Sequence, residues 1–179
     1  MVKNPEHLRQ KLANIKLLAV DVDGVLTDGG MYYSEHGDEL KKFNTRDGKG
    51  IELLRNVGIK IAFITSEKTH LVERRATKLK IDELCQGIKD KLAALRKIAS
   101  KYDLTLDEVA YIGDDINDLS IMQTVGLAIT VADGLPDNKQ VAEYITQAKG
   151  GEGAVREVAT LILGSRSILT PPKLRNRQR

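Results

Sequence analysis

Tryptophan is absent from the chain, and the other aromatics are two Phe and five Tyr in 179 residues. Proteins that stack nucleobases need aromatic platforms, so nucleic acid is not an expected partner. A single cysteine, Cys85, excludes an intrachain disulfide framework and a cysteine-based zinc cluster. The histidines, His7, His36 and His70, are scattered without metal-ligand spacing. No apolar run approaches the ~18 residues of a membrane span, so no membrane partner is expected. The stretch from Met1 to Lys16 is charged and polar and lacks the apolar core of a signal peptide. Internal repeats and low-complexity segments are missing too. These absences favour a cytoplasmic protein.

What is present describes an ordinary globular chain, 41% hydrophobic and 30% charged. A chain of this size buries roughly 70% of its unfolded surface, whereas two domains would leave both too small. One domain is expected over residues 1–165. The formal net charge is +3, and the positive excess sits in residues 166–179, where Arg166, Lys173, Arg175, Arg177 and Arg179 stand without an acid. The basic character therefore belongs to a tail rather than to a face, and the tail reads as a solvated end.

Strand-like runs alternate with helix-like runs, the pattern of an α/β parallel sheet. Ile15–Val20 is almost wholly apolar, as a strand buried on both faces should be. Two short β-like pieces, Gly30–Ser34 and Glu39–Phe43, flank the turn Glu35-His36-Gly37-Asp38, so a hairpin is expected at about residues 28–44. Further strands are expected at Ile59–Ile64, Ile81–Cys85, Val109–Ile112 and Leu127–Val131. Helices are expected at Gly50–Val57, stopped by Gly58, and at Thr69–Leu79, Asp90–Tyr102, Ile116–Thr124 and Ala154–Leu163, the last closed by Gly164.

Four places could carry chemistry. Asp21-Val22-Asp23-Gly24-Val25 directly follows the first strand, and carboxyl ends of parallel strands form the ligand crevice of such sheets. Aspartates also begin turns, so a lone Asp-x-Asp decides nothing. A calcium loop is excluded, because the sixth position is Leu26 rather than Gly and the twelfth is Tyr32 rather than Glu. Gly113-Asp114-Asp115-Ile116-Asn117-Asp118 follows another strand. One aspartate would suffice to cap a helix. Three acids so close repel one another unless a cation or a shared proton offsets the cost, and Mg²⁺ fits carboxylate ligands. Thr65 ends a strand, where a hydroxyl can hold an anion or simply start a helix. Lys91 begins a helix, an end of the dipole that disfavours a cation; it reads either as a partner for an anion or as a surface lysine. Together the four supply the parts of phosphoryl transfer through an aspartyl-phosphate.

In this order, Asp21-x-Asp23-Gly-Val, Thr65, Lys91 and Gly113-Asp114-Asp115-x-x-Asp118 resemble the four motifs of the haloacid dehalogenase superfamily of phosphatases. The resemblance runs from about Ile15 to Leu163. Thr27-Asp28-Gly29, Arg46-Asp47-Gly48, Tyr111-Ile112-Gly113-Asp114-Asp115 and Gly150-Gly151-Glu152-Gly153-Ala154-Val155-Arg156-Glu157 resemble more closely the small capless phosphatases of 3-deoxy-ulosonate sugar phosphates. Those enzymes release 3-deoxy-manno-octulosonate (KDO) from its 8-phosphate, or a nine-carbon ulosonate from its 9-phosphate, in sugar-acid and lipopolysaccharide biosynthesis. The resemblance implies a Rossmann-like three-layer α/β sandwich with a central, mainly parallel sheet, a small protruding β-hairpin and no cap domain. It implies Asp21 as nucleophile, Asp23 as acid and base, and Thr65 and Lys91 as stabilisers of the phosphoryl oxygens. Mg²⁺ is expected on Asp21, the Asp23 backbone carbonyl and Asp114, with Asp115 and Asp118 supporting its waters.

No lid is expected from this chain alone, since the first insertion is only a hairpin. The resemblance implies a homotetramer in which hairpins of neighbouring subunits complete the site around a small-molecule sugar phosphate. Ser66, Glu67, Arg75, Lys78 and Asn117 are the candidate sugar contacts, and the resemblance implies that the region of Glu67, Arg75 and Lys78 reaches the sugar from a neighbouring subunit. Glu67 and Lys78 stand eleven residues apart, close to three helical turns, so one shared helix face is expected, with Arg75 near it. KDO 8-phosphate phosphatases usually carry Gly-Arg after the second-motif hydroxyl, whereas Ser66-Glu67-Lys68 resembles the nine-carbon branch. The 9-phosphate is therefore slightly favoured, with KDO 8-phosphate close behind. Two other readings stay open: a phosphoaspartate receiver of the signalling type, and a phosphatase of a macromolecular substrate.

Overall fold

The central strands are apolar on both faces because helices cover both faces. The computed structural model describes residues 5–37 and 39–166. Helix α1 (Pro5–Asn14) leads into strand β1 (Leu17–Val20). Strands β2 (Tyr32–Tyr33) and β3 (Glu39–Leu40) form the antiparallel hairpin, with Tyr32 opposite Leu40 and Tyr33 opposite Glu39. Then follow α2 (Thr45–Asn56), β4 (Lys60–Ile64), α3 (His70–Leu79), β5 (Glu83–Cys85) and α4 (Lys91–Lys101). A 3₁₀ turn at Leu106–Glu108 precedes β6 (Val109–Gly113), and a second at Ile116–Asp118 runs into α5 (Leu119–Met122). The described chain closes with β7 (Leu127–Thr130), α6 (Pro136–Val141), β8 (Tyr144–Ile145) and α7 (Ala154–Ser165).

The main sheet is parallel throughout, in the order β5-β4-β1-β6-β7-β8. Side chains alternate between faces along each strand, and this splits the core in two. Leu18, Val20, Ile61, Phe63, Ala110, Ile112, Leu127 and Ile129 pack beneath α1, α2 and α7. Leu17, Ala19, Ala62, Ile64, Val109, Tyr111 and Ala128 pack on the other face with Leu95 and Ile98 of α4 and Ile121 and Met122 of α5. The result is the expected three-layer α/β sandwich around a parallel sheet, with a small hairpin standing off it.

Several boundaries differ from the sequence reading, each for a local reason. Helix α2 begins at Thr45 rather than Gly50, because the Asn44 side chain accepts from the Arg46 N–H and caps it. Helix α7 passes through Gly164 to Ser165, so that glycine does not end it. The segment after β6 starts as a 3₁₀ turn, tied by side chains of Asp115 and Asp118, before it becomes α5. Elements α1, α6 and β8 were not expected; only Leu8 and Leu12 of α1 are buried, a pattern too sparse to read. The Arg166 guanidinium donates to the Ile15 carbonyl at the sheet's amino edge. The rest of the expected basic tail lies outside the described residues.

Candidate active site

The order of the sheet reverses around β1, which has β4 on one side and β6 on the other. Ligands of parallel α/β sheets bind beyond the carboxyl ends of the strands at such a reversal. Asp21 leaves β1 there, Thr65 leaves β4 and Asp114 leaves β6. Lys91 joins them as the first residue of α4, whose N-terminus is capped by the Asp90 side chain on the Ala93 N–H.

Lys91 is an internal cation. It is 1% exposed, and its Nζ lies 2.9 Å from Asp21 Oδ1 and 2.7 Å from Asp118 Oδ1. Burial pulls its ammonium down, but Asp21 and Asp118 more than offset this and hold its pKa above the usual value. The surface-lysine reading is thereby excluded. Asp118 is fully committed. Its Oδ1 also accepts from the buried Tyr111 hydroxyl at 2.6 Å, and its Oδ2 accepts from the N–H groups of Asp114 and Asp115. Asp118 thus fixes Lys91 and the loop. The exposed Asp115 turns its carboxylate back onto the Ile116 N–H, 2.6 Å away.

Asp21 and Asp114 carry the electrostatic strain of the site. Burial raises the Asp21 carboxyl to about 7, helped by Asp118 and opposed by Lys91. Burial raises Asp114 to about 8, helped by the negative charges of Asp21, Asp118 and Asp115. Carboxylate oxygens of Asp21, Asp114 and Asp118 all lie within 4.8 Å of one another. Asp114 Oδ1 is buried with no hydrogen-bond partner among the described residues. Hard oxygen donors, crowded negative charge and an orphaned buried oxygen are what a divalent cation such as Mg²⁺ satisfies. Gly24 makes the crowding possible. A Cβ there would stand 2.0 Å from Asp114 Oδ2, and its φ of +86° suits glycine alone.

The remaining predicted residues divide into those brought to the site and those kept from it. Thr65 is 2% exposed, and its hydroxyl accepts from the Glu67 N–H at 3.2 Å. Asn117 reaches across to Ser66, Nδ2 to Oγ, at 3.5 Å. Glu67 lies before α3, whose N-cap is Thr69, so Glu67 and Lys78 do not share a helix face. The expected three-turn spacing fails because the helix starts at His70. Lys78 is exposed near the end of α3. Arg75 turns inward, donating to the Asn44 carbonyl at 2.8 Å and stacking over Phe43, where it holds the start of α2.

One residue that sequence reasoning missed lies at the centre. Lys41, from the hairpin, places its Nζ 2.6 Å from Asp23 Oδ1 and 2.8 Å from Glu67 Oε2. Nothing in its local sequence separates it from its neighbour Lys42, which is exposed and pairs with Asp28 at 3.3 Å.

A family profile described as haloacid dehalogenase-like hydrolase matches residues 83–158. The 3-deoxy-D-manno-octulosonate 8-phosphate phosphatase of Yersinia pestis is 48% identical over 154 residues, covering 86% of this chain and 82% of its own. The protein of that name from Escherichia coli K12 is 46% identical over 153 residues, covering 86% and 81%. The chain belongs to this phosphatase family.

Among solved members, the Moraxella catarrhalis phosphatase, crystallised with magnesium, phosphate and KDO, matches with a TM-score of 0.89 at 42% identity over 92% of this chain and 94% of that one. A cobalt-bound Haemophilus influenzae phosphatase matches with a TM-score of 0.85 at 35% identity, over 88% and 92%. The chain is therefore a phosphatase of the haloacid dehalogenase superfamily, with Mg²⁺ as its cofactor. The motifs outside the acidic cluster acquire a physical reason in this phosphatase. Gly150 packs so closely on the loop after β1 that a Cβ would lie 1.8 Å from the Gly24 carbonyl oxygen. Asp47 is fully buried, and its Oδ1 accepts from the Arg156 N–H at 2.7 Å at the start of α7.

Proposed function

We propose that this phosphatase hydrolyses KDO 8-phosphate through an aspartyl-phosphate on Asp21. The observation that carries the chemistry is the pairing of a buried Asp21 with Lys91, beside a second carboxylate two residues on. The substrate rests on the relatives named for it at 46–48% identity over more than four fifths of each chain. The nine-carbon 9-phosphate is the second reading, supported by Ser66-Glu67-Lys68. A receiver-type protein lacks a second carboxylate placed to hydrolyse its own acyl phosphate, and Asp23 supplies one here.

Asp21 attacks phosphorus, and the bond to the sugar oxygen breaks as Asp23 gives that oxygen its proton. The resulting Asp23 carboxylate then takes a proton from water as the water oxygen attacks the Asp21 phosphoryl group. Inorganic phosphate leaves and Asp21 is restored. Lys91 and the Thr65 hydroxyl stabilise the phosphoryl oxygens. Asp21, Asp114 and the Asp23 backbone carbonyl would hold the Mg²⁺, which when bound supplies Lewis-acid offset of phosphoryl charge. The test is phosphate release with Mg²⁺ from KDO 8-phosphate, a nine-carbon ulosonate 9-phosphate and a hexose phosphate. A kcat/KM preference for KDO 8-phosphate, lost in Asp21→Asn, is expected. Equal slow turnover of all three would discard the sugar-acid assignment, and an active Asp21→Asn would discard the mechanism.

The assembly belongs to the same proposal. Met31, Tyr32, Tyr33 and Leu40 of the hairpin are 41 to 68% exposed, an apolar face on a ribbon too short to be stable alone. A homotetramer that buries these faces and closes neighbouring sites accounts for them. Sedimentation at micromolar concentration should give four chains per particle; a stable monomer would sink the assembly. Residues 1–165 act as one domain in this reading, and a cytoplasmic location is part of it, supported by the free Cys85.

A further inference from the structure

The Asp23 carboxylate is held asymmetrically. Its Oδ1 receives the Lys41 ammonium at 2.6 Å and the Thr27 hydroxyl at 3.3 Å. The same Thr27 oxygen accepts from the Gly24 and Gly29 N–H groups, which sets the direction of its own proton. The Asp23 Oδ2 is buried and has no hydrogen-bond partner among the described residues. A buried carboxylate oxygen without a donor is costly, and such groups call for an explanation.

We propose that Lys41 is a positioning residue for the reaction, clamping Asp23 Oδ1 so that Oδ2 alone carries the proton to and from the reacting oxygens. The inference rests on the reading of Asp23 as acid and base. Protonating Oδ1 would mean displacing an ammonium and a hydroxyl donor, whereas Oδ2 has nothing to lose. In the first step the Oδ2 proton passes to the sugar oxygen as its bond to phosphorus breaks. In the second, Oδ2 takes a proton from the attacking water.

Glu67 completes the device. Lys41 does not rest on Asp23 alone: Glu67 Oε2 lies 2.8 Å from its Nζ, with Glu39 Oε1 a further 3.8 Å contact. The Lys41 side chain has no solvent exposure, whereas its partner Glu67 is 45% exposed at the rim of the arrangement. Glu67 is in this way assigned to holding Lys41. The hairpin, whose two strands share only two residue pairs, thereby sets the orientation of the acid.

The leaving group separates this role from a merely structural one. A sugar alkoxide needs protonation to depart, whereas para-nitrophenolate leaves without it. Release of the leaving group in the first turnover should be measured for KDO 8-phosphate and for para-nitrophenyl phosphate, both with Mg²⁺. General acid catalysis contributes about 10²- to 10⁴-fold, and Lys41→Met should forfeit a tenfold or greater part of that on the sugar ester, about 10-fold or more, with a much smaller loss on the aryl ester. Lys41→Arg, which keeps the cation, should restore the sugar ester. Glu67→Gln should show the same discrimination more weakly, and decides the matter if Lys41→Met does not fold. Equal losses on both esters, or no loss on either, would overturn the proposal. Asp23→Asn serves as reference: if it fails to discriminate the esters, the reading of Asp23 falls, and that outcome is distinct from failure at Lys41 alone.

Discussion

Gly24 shows how a single residue can admit a metal site. Its lack of a side chain lets Asp114 approach the loop that carries Asp21 and Asp23. A Gly24→Ala substitution would drive its Cβ to 2.0 Å from Asp114 Oδ2 while holding φ at +86°. Asp114 must then turn away. Mg²⁺ affinity should fall by about 10- to 100-fold, the range found when residues supporting a metal ligand are changed. Calorimetric titration of the purified variant checks this; unchanged affinity would mean that Asp114 is not a ligand. Lys91 shows the opposite limit of local reading. Its place at a helix start was visible in the chain. Its enclosure by Asp21 and Asp118 came only from the meeting of the start of α4 with the segments that follow β1 and β6.

At the scale of elements, the loop that carries Asp21 and Asp23 is held by the turn before α7. Gly150 lies against Gly24, and the Gly151 N–H donates to the Val25 carbonyl at 3.0 Å. Glu157 gathers the preceding turn by accepting from the N–H groups of Gln147 and Ala148 and from the Tyr144 hydroxyl. Asp47 of α2 caps α7. Burial raises its carboxyl from 3.8 to about 6, against the pull of the Arg156 N–H and of Arg75. A raised value means that the folded protein holds this proton more tightly than the unfolded chain. The group's stabilisation is then full below about pH 3.8 and is lost as pH rises through about 6. Asparagine cannot titrate. Between those pH values the unfolding free energy of Asp47→Asn should therefore decline less than that of the parent, as measured by urea denaturation. Parallel profiles would show that folding leaves the Asp47 carboxyl at its unfolded value.

For the whole molecule, the consequence is a link between cation and proton binding. Asp21 and Asp114 rise to about 7 and about 8 because burial and neighbouring carboxylates disfavour their charges. A divalent cation held by both, as proposed, would need both ionised and so would displace the protons they hold. Mg²⁺ affinity should increase as pH rises through this range. Calorimetry in buffers of differing ionisation enthalpy should register proton release near neutral pH, reduced in Asp114→Asn. Affinity that is flat with pH would show that the ligands are already ionised without the cation.

The sequence by itself determined the chemistry and most of the layout. Aspartates directly after apolar strands mark the carboxyl edge of a parallel sheet, and their order along the chain marks the phosphatase motifs; both signals are local. The period of apolar residues also placed the central strands, since burial on both faces leaves nothing but apolar side chains. Only the tertiary structure decided which charges meet. Lys41 and Lys42 are adjacent and chemically identical, yet one is buried on Asp23 and the other exposed beside Asp28. Arg75 stacks on Phe43 although its helix promised a binding face, and Asp118 is closed in by Lys91 and Tyr111. A charge's partner is set by which loops converge in space, and convergence across 18 to 27 residues of chain leaves no periodic trace in the sequence.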